Sequence, residues 1–310
     1  MKFWSLICLL PVLAAPAMSQ STANDDMNKC HDLSGDPAID ACTRAIDSGQ
    51  LTQSNLAIMY YNRGYEWNNK DEEDRAIADF DQAIRINPNY TSAYNNRGLA
   101  WRAKGDYDRS IADFNQALQL DPNHANAYFG RGRDFYSQGD YTKAIADFDE
   151  AVRINPKLSG AFFNRGIAHA SSRDWAAAAA DFSSSHELDL KDAYPVLWLA
   201  IVGMRQPDSG WGKRLEDQLQ GLDQSWPWPV LRFYDGQLTA DQVLAAAIDS
   251  NEATQRTQLC EAAFYVGEWK LAHGQLHEAA DDLGKAQSEC LRKSAEYSAA
   301  VQELKSLGQQ

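Results

Sequence analysis

The chain has 310 residues, 44% of them hydrophobic, and carries 43 acidic against 29 basic side chains, a formal net charge of −14. That length can bury a substantial core as one large domain or two smaller ones. The acidity sets aside nucleic acid and anionic lipid surfaces as partners, because both would be repelled on average.

The first residues read as an address. Lys2, an apolar run from Phe3 to Ala15, and small residues at Ala15, Ala17 and Ser19 predict a secretory signal over residues 1–19, cleaved after Ala17 or Ser19. The run is short for a bilayer span, and Cys8, behind bulky Leu6 and Ile7, sits too early for a lipid-attachment cysteine. The expectation is a soluble periplasmic or secreted protein with no membrane span. Such a compartment permits disulfides, and the mature chain keeps Cys30 and Cys42 near one end and Cys260 and Cys290 near the other. Neither pair has the spacing of a zinc knuckle, a thioredoxin-type motif or a haem attachment site, so two structural bridges are expected. The Cys30–Cys42 bridge requires "DLSGDP" at 32–37 to fold back as a loop.

From residue 57 the chain repeats itself. "YYNRG" (60–64) returns as "YNNRG" (94–98), "YFGRG" (128–132) and "FFNRG" (162–166), each 34 residues after the last. Columns follow in register: Gly64, Gly98, Gly132 and Gly166; Ala76, Ser110, Ala144 and Ala178; Phe80, Phe114, Phe148 and Phe182; Pro88, Pro122 and Pro156. Two amphipathic helical patterns lie in each period, divided by "KGD", "QGD" or "SRD". A glycine facing a small residue lets two antiparallel helices approach, aromatics one turn away fill the seam, and proline ends the second helix. One hairpin cannot hide its apolar stripe alone; stacked hairpins can. "DPAIDACTRAI" at 36–46 matches the second helix of this unit, with Cys42 in the phenylalanine column, so residues 20–56 are expected to be a degenerate half-repeat that caps the stack.

With Tyr94, Gly98, Trp101, Gly105, Tyr107, Phe114, Ala117 and Pro122 in one period, the chain resembles the tetratricopeptide-repeat proteins. The resemblance implies an all-α, right-handed α-solenoid, with four repeats over 57–192.

Residues 193–259 leave the period and predict a helical insertion. "YPVLWLAIVGMR" (194–205) reads as a helix, "QPDSGWG" as a break and "RLEDQLQGL" as a short helix. Pro229 then opens a helix that ends at Asp235 and Gly236, and Thr239 with Gln242 forms the capping box of the next. Residues 260–310 restore a repeat, with Gly267, Gly274, Ala279, Leu283 and Ala286 on the old columns; Cys260 opens its first helix, Cys290 ends its second, and 294–308 forms a terminal capping helix. This order, with "FYVGEWKLAHGQLHEA" after the insertion, is similar to the NlpI-like adaptors of the bacterial envelope. That likeness implies a dimer that docks a processing protease and cell-wall endopeptidases.

Chemistry-bearing motifs are sparse. There is no nucleophile elbow, phosphate loop or metal-ligand cluster, and His31, His124, His169, His186, His273 and His277 are scattered, so neither cofactor nor metal is expected. Arg63, Arg97, Arg131 and Arg165 recur with Asp79, Asp113, Asp147 and Asp181; a periodic match points to structural ion pairs. Symmetry breaks on the first helices, whose concave faces should present Tyr61, Asn62 and Tyr65, then Asn95, Asn96, Leu99 and Arg102, then Phe129, Arg133 and Tyr136, then Phe163, Asn164 and Ile167. Asparagines bond an extended peptide backbone, aromatics take its side chains, and arginines attract acidic groups. Trp211, Trp226 and Trp228 offer a second surface, or pack on the solenoid. The favoured reading is a non-enzymatic exported scaffold that binds a protein or peptide in its groove, an envelope adaptor for a protease or cell-wall hydrolase. An assembly chaperone is the alternative, and a periplasmic hydrolase of unrecognised type stands behind both.

Overall fold

A computed structural model describes residues 20–206, 211–219, 222–291 and 294–308. The expected leader over 1–19 and part of the break after Gln206 lie outside the described residues. The described residues form seventeen helices and no strand. They fall into two compact units, one up to Ala100 and one from Trp101 onward.

In the first unit α1 (Gln20–Asp32) and α2 (Asp36–Asp47) form an antiparallel pair, and α3 (Gln53–Asn69) packs on α2 and pairs with α4 (Glu73–Ile86). The half-repeat expected over 20–56 is therefore a complete hairpin, and its last residues already belong to α3. Its first helix escapes notice because it is largely polar and lacks the repeat's aromatic columns. The turn expected at 32–37 is present, with Gly35 at φ 65°, and Cys30 is bridged to Cys42 across it. Cys42, fully buried among Ala41, Ala45 and Met59, holds the place that phenylalanine takes in later hairpins. α5 (Thr91–Ala103) begins after Pro88, which follows the end of α4 by two residues.

In the second unit α6 (Tyr107–Leu120), α7 (Ala125–Ser137), α8 (Tyr141–Ile154), α9 (Ser159–Ser171) and α10 (Trp175–Leu188) pack in chain order, each on the next. This is the α-solenoid architecture that the period implies. Phe80, Phe114, Phe148 and Phe182 are all fully buried. One detail differs from expectation: the small-residue column does not supply the glycine's nearest neighbour. A Cβ built on Gly132 would stand 2.8 Å from Cε1 of Phe148 and 3.2 Å from the Ala144 carbonyl oxygen. The ring itself occupies the space a side chain would need, and Gly64 and Gly166 meet Phe80 and Phe182 in the same way.

The turns inside the hairpins show the cost of departing from the repeat pattern. Gly105 and Gly139 take φ of 79° and 80°, where a side chain is disfavoured, and Arg173 holds the same place in "SRD" at φ 61°.

The insertion forms α11 (Tyr194–Met204), α12 (Trp211–Gln218), α13 (Trp228–Tyr234) and α14 (Ala240–Ala246), the last with both halves of the Thr239–Gln242 capping box. α11 is buried on nearly every side, which explains its lack of polar periodicity. Trp198 joins Phe182 of the repeats (centroids 5.6 Å apart) to Phe264 of the next repeat-like helix (5.7 Å). That helix, α15 (Glu252–Ala272), and α16 (Leu276–Glu289) rebuild a repeat hairpin, bridged by Cys260–Cys290. Cys260 does not open α15 as expected. The Asn251 side chain accepts a hydrogen bond from the Thr254 amide and caps a helix that starts at Glu252, so Cys260 lies inside it. The final helix α17 (Ala295–Ser306), capped by Ser294, packs on α16 and α15 and also reaches back to α9, where the Gln302 amide donates to the Ser171 carbonyl. Among the described residues no helix is long and apolar enough to cross a membrane.

Candidate functional site

The recurring arginines serve the scaffold. Arg63, Arg131 and Arg165 each make a two-pronged pair with the aspartate sixteen residues on, at 2.8 and 2.8 Å to Asp79, 2.8 and 2.7 Å to Asp147, and 2.9 and 2.6 Å to Asp181. The same guanidinium also donates backward, from Arg63 to Thr43, from Arg131 to Asn115 and from Arg165 to Asp149. Each arginine thus ties its own hairpin to the one before. Arg97 makes the backward bond to Asp81.

The remaining first-helix residues divide between the units. In the first, Asn96 links two helices: its amide donates to the Tyr61 hydroxyl at 2.9 Å, and its carbonyl oxygen accepts from Asn95 at 3.0 Å. Tyr61 also packs on Tyr90, with centroids 4.9 Å apart. Tyr65 on α3 is 47% exposed, and the buried atoms Nδ2 of Asn62 and Oδ1 of Asn95 have no hydrogen-bond partner among the described residues. Leu99 is half-buried.

In the second unit Arg102, Arg133, Tyr136, Phe163, Asn164 and Ile167 line one cleft of about 310 Å³. Phe129 does not line it; its ring centroid lies 5.6 Å from the Arg133 guanidinium carbon. Several residues are less available than the repeat pattern suggests. Ile167 is only 2% exposed, Tyr136 is bonded to Ser171, and the Asn164 amide is held by the Gly160 carbonyl at 2.8 Å. Arg102 is committed to buried Asp134 at 2.8 Å. Burial outweighs that pairing: it lowers the Arg102 guanidinium and lifts Asp134 to about 6.

Arg133 is different. No acidic side chain lies within ion-pair distance of it among the described residues. Burial, then repulsion from Arg102, pulls it down to about 10.

The opposite wall is one the repeats do not supply. Tyr194 comes from α11, Glu261 from α15, and Ser294, Glu296 and Ser298 from α17 and its cap. Glu261 accepts from the Trp226 indole at 2.7 Å and the Tyr194 hydroxyl at 3.0 Å; Glu296 accepts from the Tyr265 hydroxyl at 3.3 Å. Burial lifts Glu261 to about 7 and also raises Glu296. Reading the sequence missed Asp134, Glu261 and Glu296. The column Glu66, Ala100, Asp134, Ala168 does flag Asp134 as aperiodic, but nothing local marks the other two.

The tryptophans of the insertion pack inward. Trp211 meets Gly203, Trp226 is bonded to Glu261, and Trp228 lies under Arg232, all against the core of the second unit. The histidines stay apart: His124 caps α7, His273 stacks on Trp269 at 3.9 Å, and His277 is exposed. Among the described residues no three His, Cys, Asp or Glu side chains come together as a metal site.

The tetratricopeptide-repeat family profile matches residues 73–125, 102–159 and 129–189. Among solved structures, YrrB, described as a tetratricopeptide-repeat protein with an unusual peptide-binding site, aligns with a TM-score of 0.51 at 20% identity, over 65% of this chain and 100% of that one. PilF of Pseudomonas aeruginosa aligns at 0.50 and 17% identity, over 81% and 99%. MamA from Desulfovibrio magneticus RS-1 aligns at 0.50 and 19% identity, over 55% and 96%. At such identities the likeness establishes the fold.

Proposed function

We propose that this chain, whose residues 73–189 are tetratricopeptide repeats, is an exported, non-catalytic scaffold that binds a protein through the first-helix face of its N-terminal unit. One observation carries this reading. The Asn96–Tyr61 hydrogen bond joins α5 to α3 beside exposed Tyr65, with Asn95 itself buried, whereas the periodic charges nearby are consumed by the fold. Aromatic and amide groups on a rigid face suit an extended segment, whose backbone needs both donors and acceptors and whose binding then costs little ordering of the host. The peptide-binding description of YrrB supports the same use of the fold.

Two further features support export: the N-terminal pattern of Lys2, apolar run and small residues, and the disulfides Cys30–Cys42 and Cys260–Cys290, which persist in oxidising compartments. The finer reading is an envelope adaptor that brings a protease or cell-wall hydrolase to its substrate. A photo-crosslinking residue at position 65, used in intact cells, tests it. The expected result is an adduct with such an enzyme that disappears when Asn96 is replaced by Ala. Adducts with subunits of an assembling complex would favour a chaperone, and recovery of unprocessed protein in the cytoplasm would defeat the proposal.

A further inference from the structure

We propose that the cleft of the second unit binds a short zwitterionic peptide, its carboxylate on Arg133 and its ammonium on Glu296 beside Glu261. The inference is independent of the protein-binding face of the first unit.

The cleft joins unlike walls. α7 brings Arg133, while α15 and α17 bring Glu261 and Glu296. Neither carboxyl is paired with a cation, nor Arg133 with an anion, among the described residues. Unpaired charge held away from water is costly, and opposite charges that do not meet leave room between them. A ligand with an anionic and a cationic end compensates both walls at once. A purely anionic ligand would meet the two glutamates, and a purely cationic one Arg133 and Arg102. Tyr136, Phe163 and Tyr194 add an amphipathic lining to the cleft. A volume of about 310 Å³ lies at the small end of ligand pockets, which suits two or three residues rather than a long segment.

The glutamates make binding depend on pH. Burial raises both, so an ammonium must displace a proton at low pH. The other titratable groups around them are Arg102, Arg133 and Tyr136 on the repeat side, Asp192 and Tyr194 at the start of α11, and Tyr265 on α15.

Calorimetry on the full mature chain with trialanine, N-acetyl-trialanine and trialanine amide tests the assignment. Trialanine should bind at about pH 8, each capped form about ten-fold or more weakly. Arg133→Gln should abolish discrimination against the amide, and Glu296→Gln discrimination against the acetylated form. Trialanine, but not its acetylated form, should weaken toward about pH 5.5. Equal binding of capped and free peptides by the unaltered protein, or no trialanine binding up to about 10 mM by a chain with native circular dichroism, overturns the proposal.

Discussion

Replacing Gly132 by Ala adds one methyl group inside a helix, a change that ordinarily stabilises, yet here it should destabilise. In an unconstrained helix the change gains about 0.8–1 kcal/mol of helix propensity. At this site the new Cβ would stand 2.8 and 2.9 Å from two ring carbons of Phe148 and 3.2 Å from the Ala144 carbonyl oxygen. Phe148 is fully buried, so the ring cannot swing into solvent, and the hairpin must open by several tenths of an ångström. Overpacking of this kind costs about 1–3 kcal/mol, which leaves a net loss of roughly 0–2 kcal/mol. Gly284, inside α16, supplies the control: a Cβ there meets nothing within 4 Å and its backbone is helical. Gly284→Ala should therefore stabilise by about 0.5–1 kcal/mol. Urea unfolding followed by circular dichroism compares the two, and hydrogen exchange of the α7 and α8 amides localises the first. If Gly132→Ala stabilises as much as Gly284→Ala, the ring-on-glycine account of the repeats is wrong.

Asp147→Ala should cost about 1–3 kcal/mol in the same assay, because it leaves the half-buried Arg131 without its two-pronged partner; an unchanged midpoint would show the pair to be ornamental. Arg173→Gly should stabilise by about 0.5–1 kcal/mol by relieving a side chain at φ 61°, and a loss of stability would count against strain there. Glu261 at about 7, Asp134 at about 6 and Glu296, also raised, hold protons in the fold that the unfolded chain has already released. Folded pKa values above the unfolded ones mean that stability falls as pH rises from about 4 to about 7, so the urea midpoint should be higher at about pH 5 than at about pH 8. A midpoint that rises over that interval would refute the burial of these groups. Thiol titration of the mature, denatured, unreduced chain should find none of Cys30, Cys42, Cys260 and Cys290 free, and opening the 30-residue Cys260–Cys290 separation should cost about 3–4 kcal/mol; four free thiols would remove both bridges.

Much of this architecture is readable without coordinates, and the reason is local. Each hairpin is determined by contacts within 34 residues and with its immediate neighbour, so the glycine, phenylalanine and proline columns and the Arg131–Asp147 spacing report directly on packing. The capping box at Thr239 is likewise legible, and so is the helix that Pro229 marks, which begins one residue earlier at Trp228; both are contacts of three or four residues. α1 is not, because it is largely polar and is held by its bridge and by the Arg44–Asp26 pair rather than by a repeat signature.

The first-helix positions can be named from the period, but not which of them remain available. Ile167 and Tyr136 are taken into packing by neighbours that the period does not mention. The cleft depends on contacts far apart in the chain: Tyr194 with Glu261, 67 residues on, and Ser171 with Gln302, 131 residues on. The sequence by itself determined the repeating hairpins, their turns and their ion pairs, since short-range contacts repeat and periodicity exposes them. Only the tertiary structure decided that Glu261 of α15 and Glu296 of α17 line the same cleft as Arg133 of α7, because that meeting happens once, between segments that share no period.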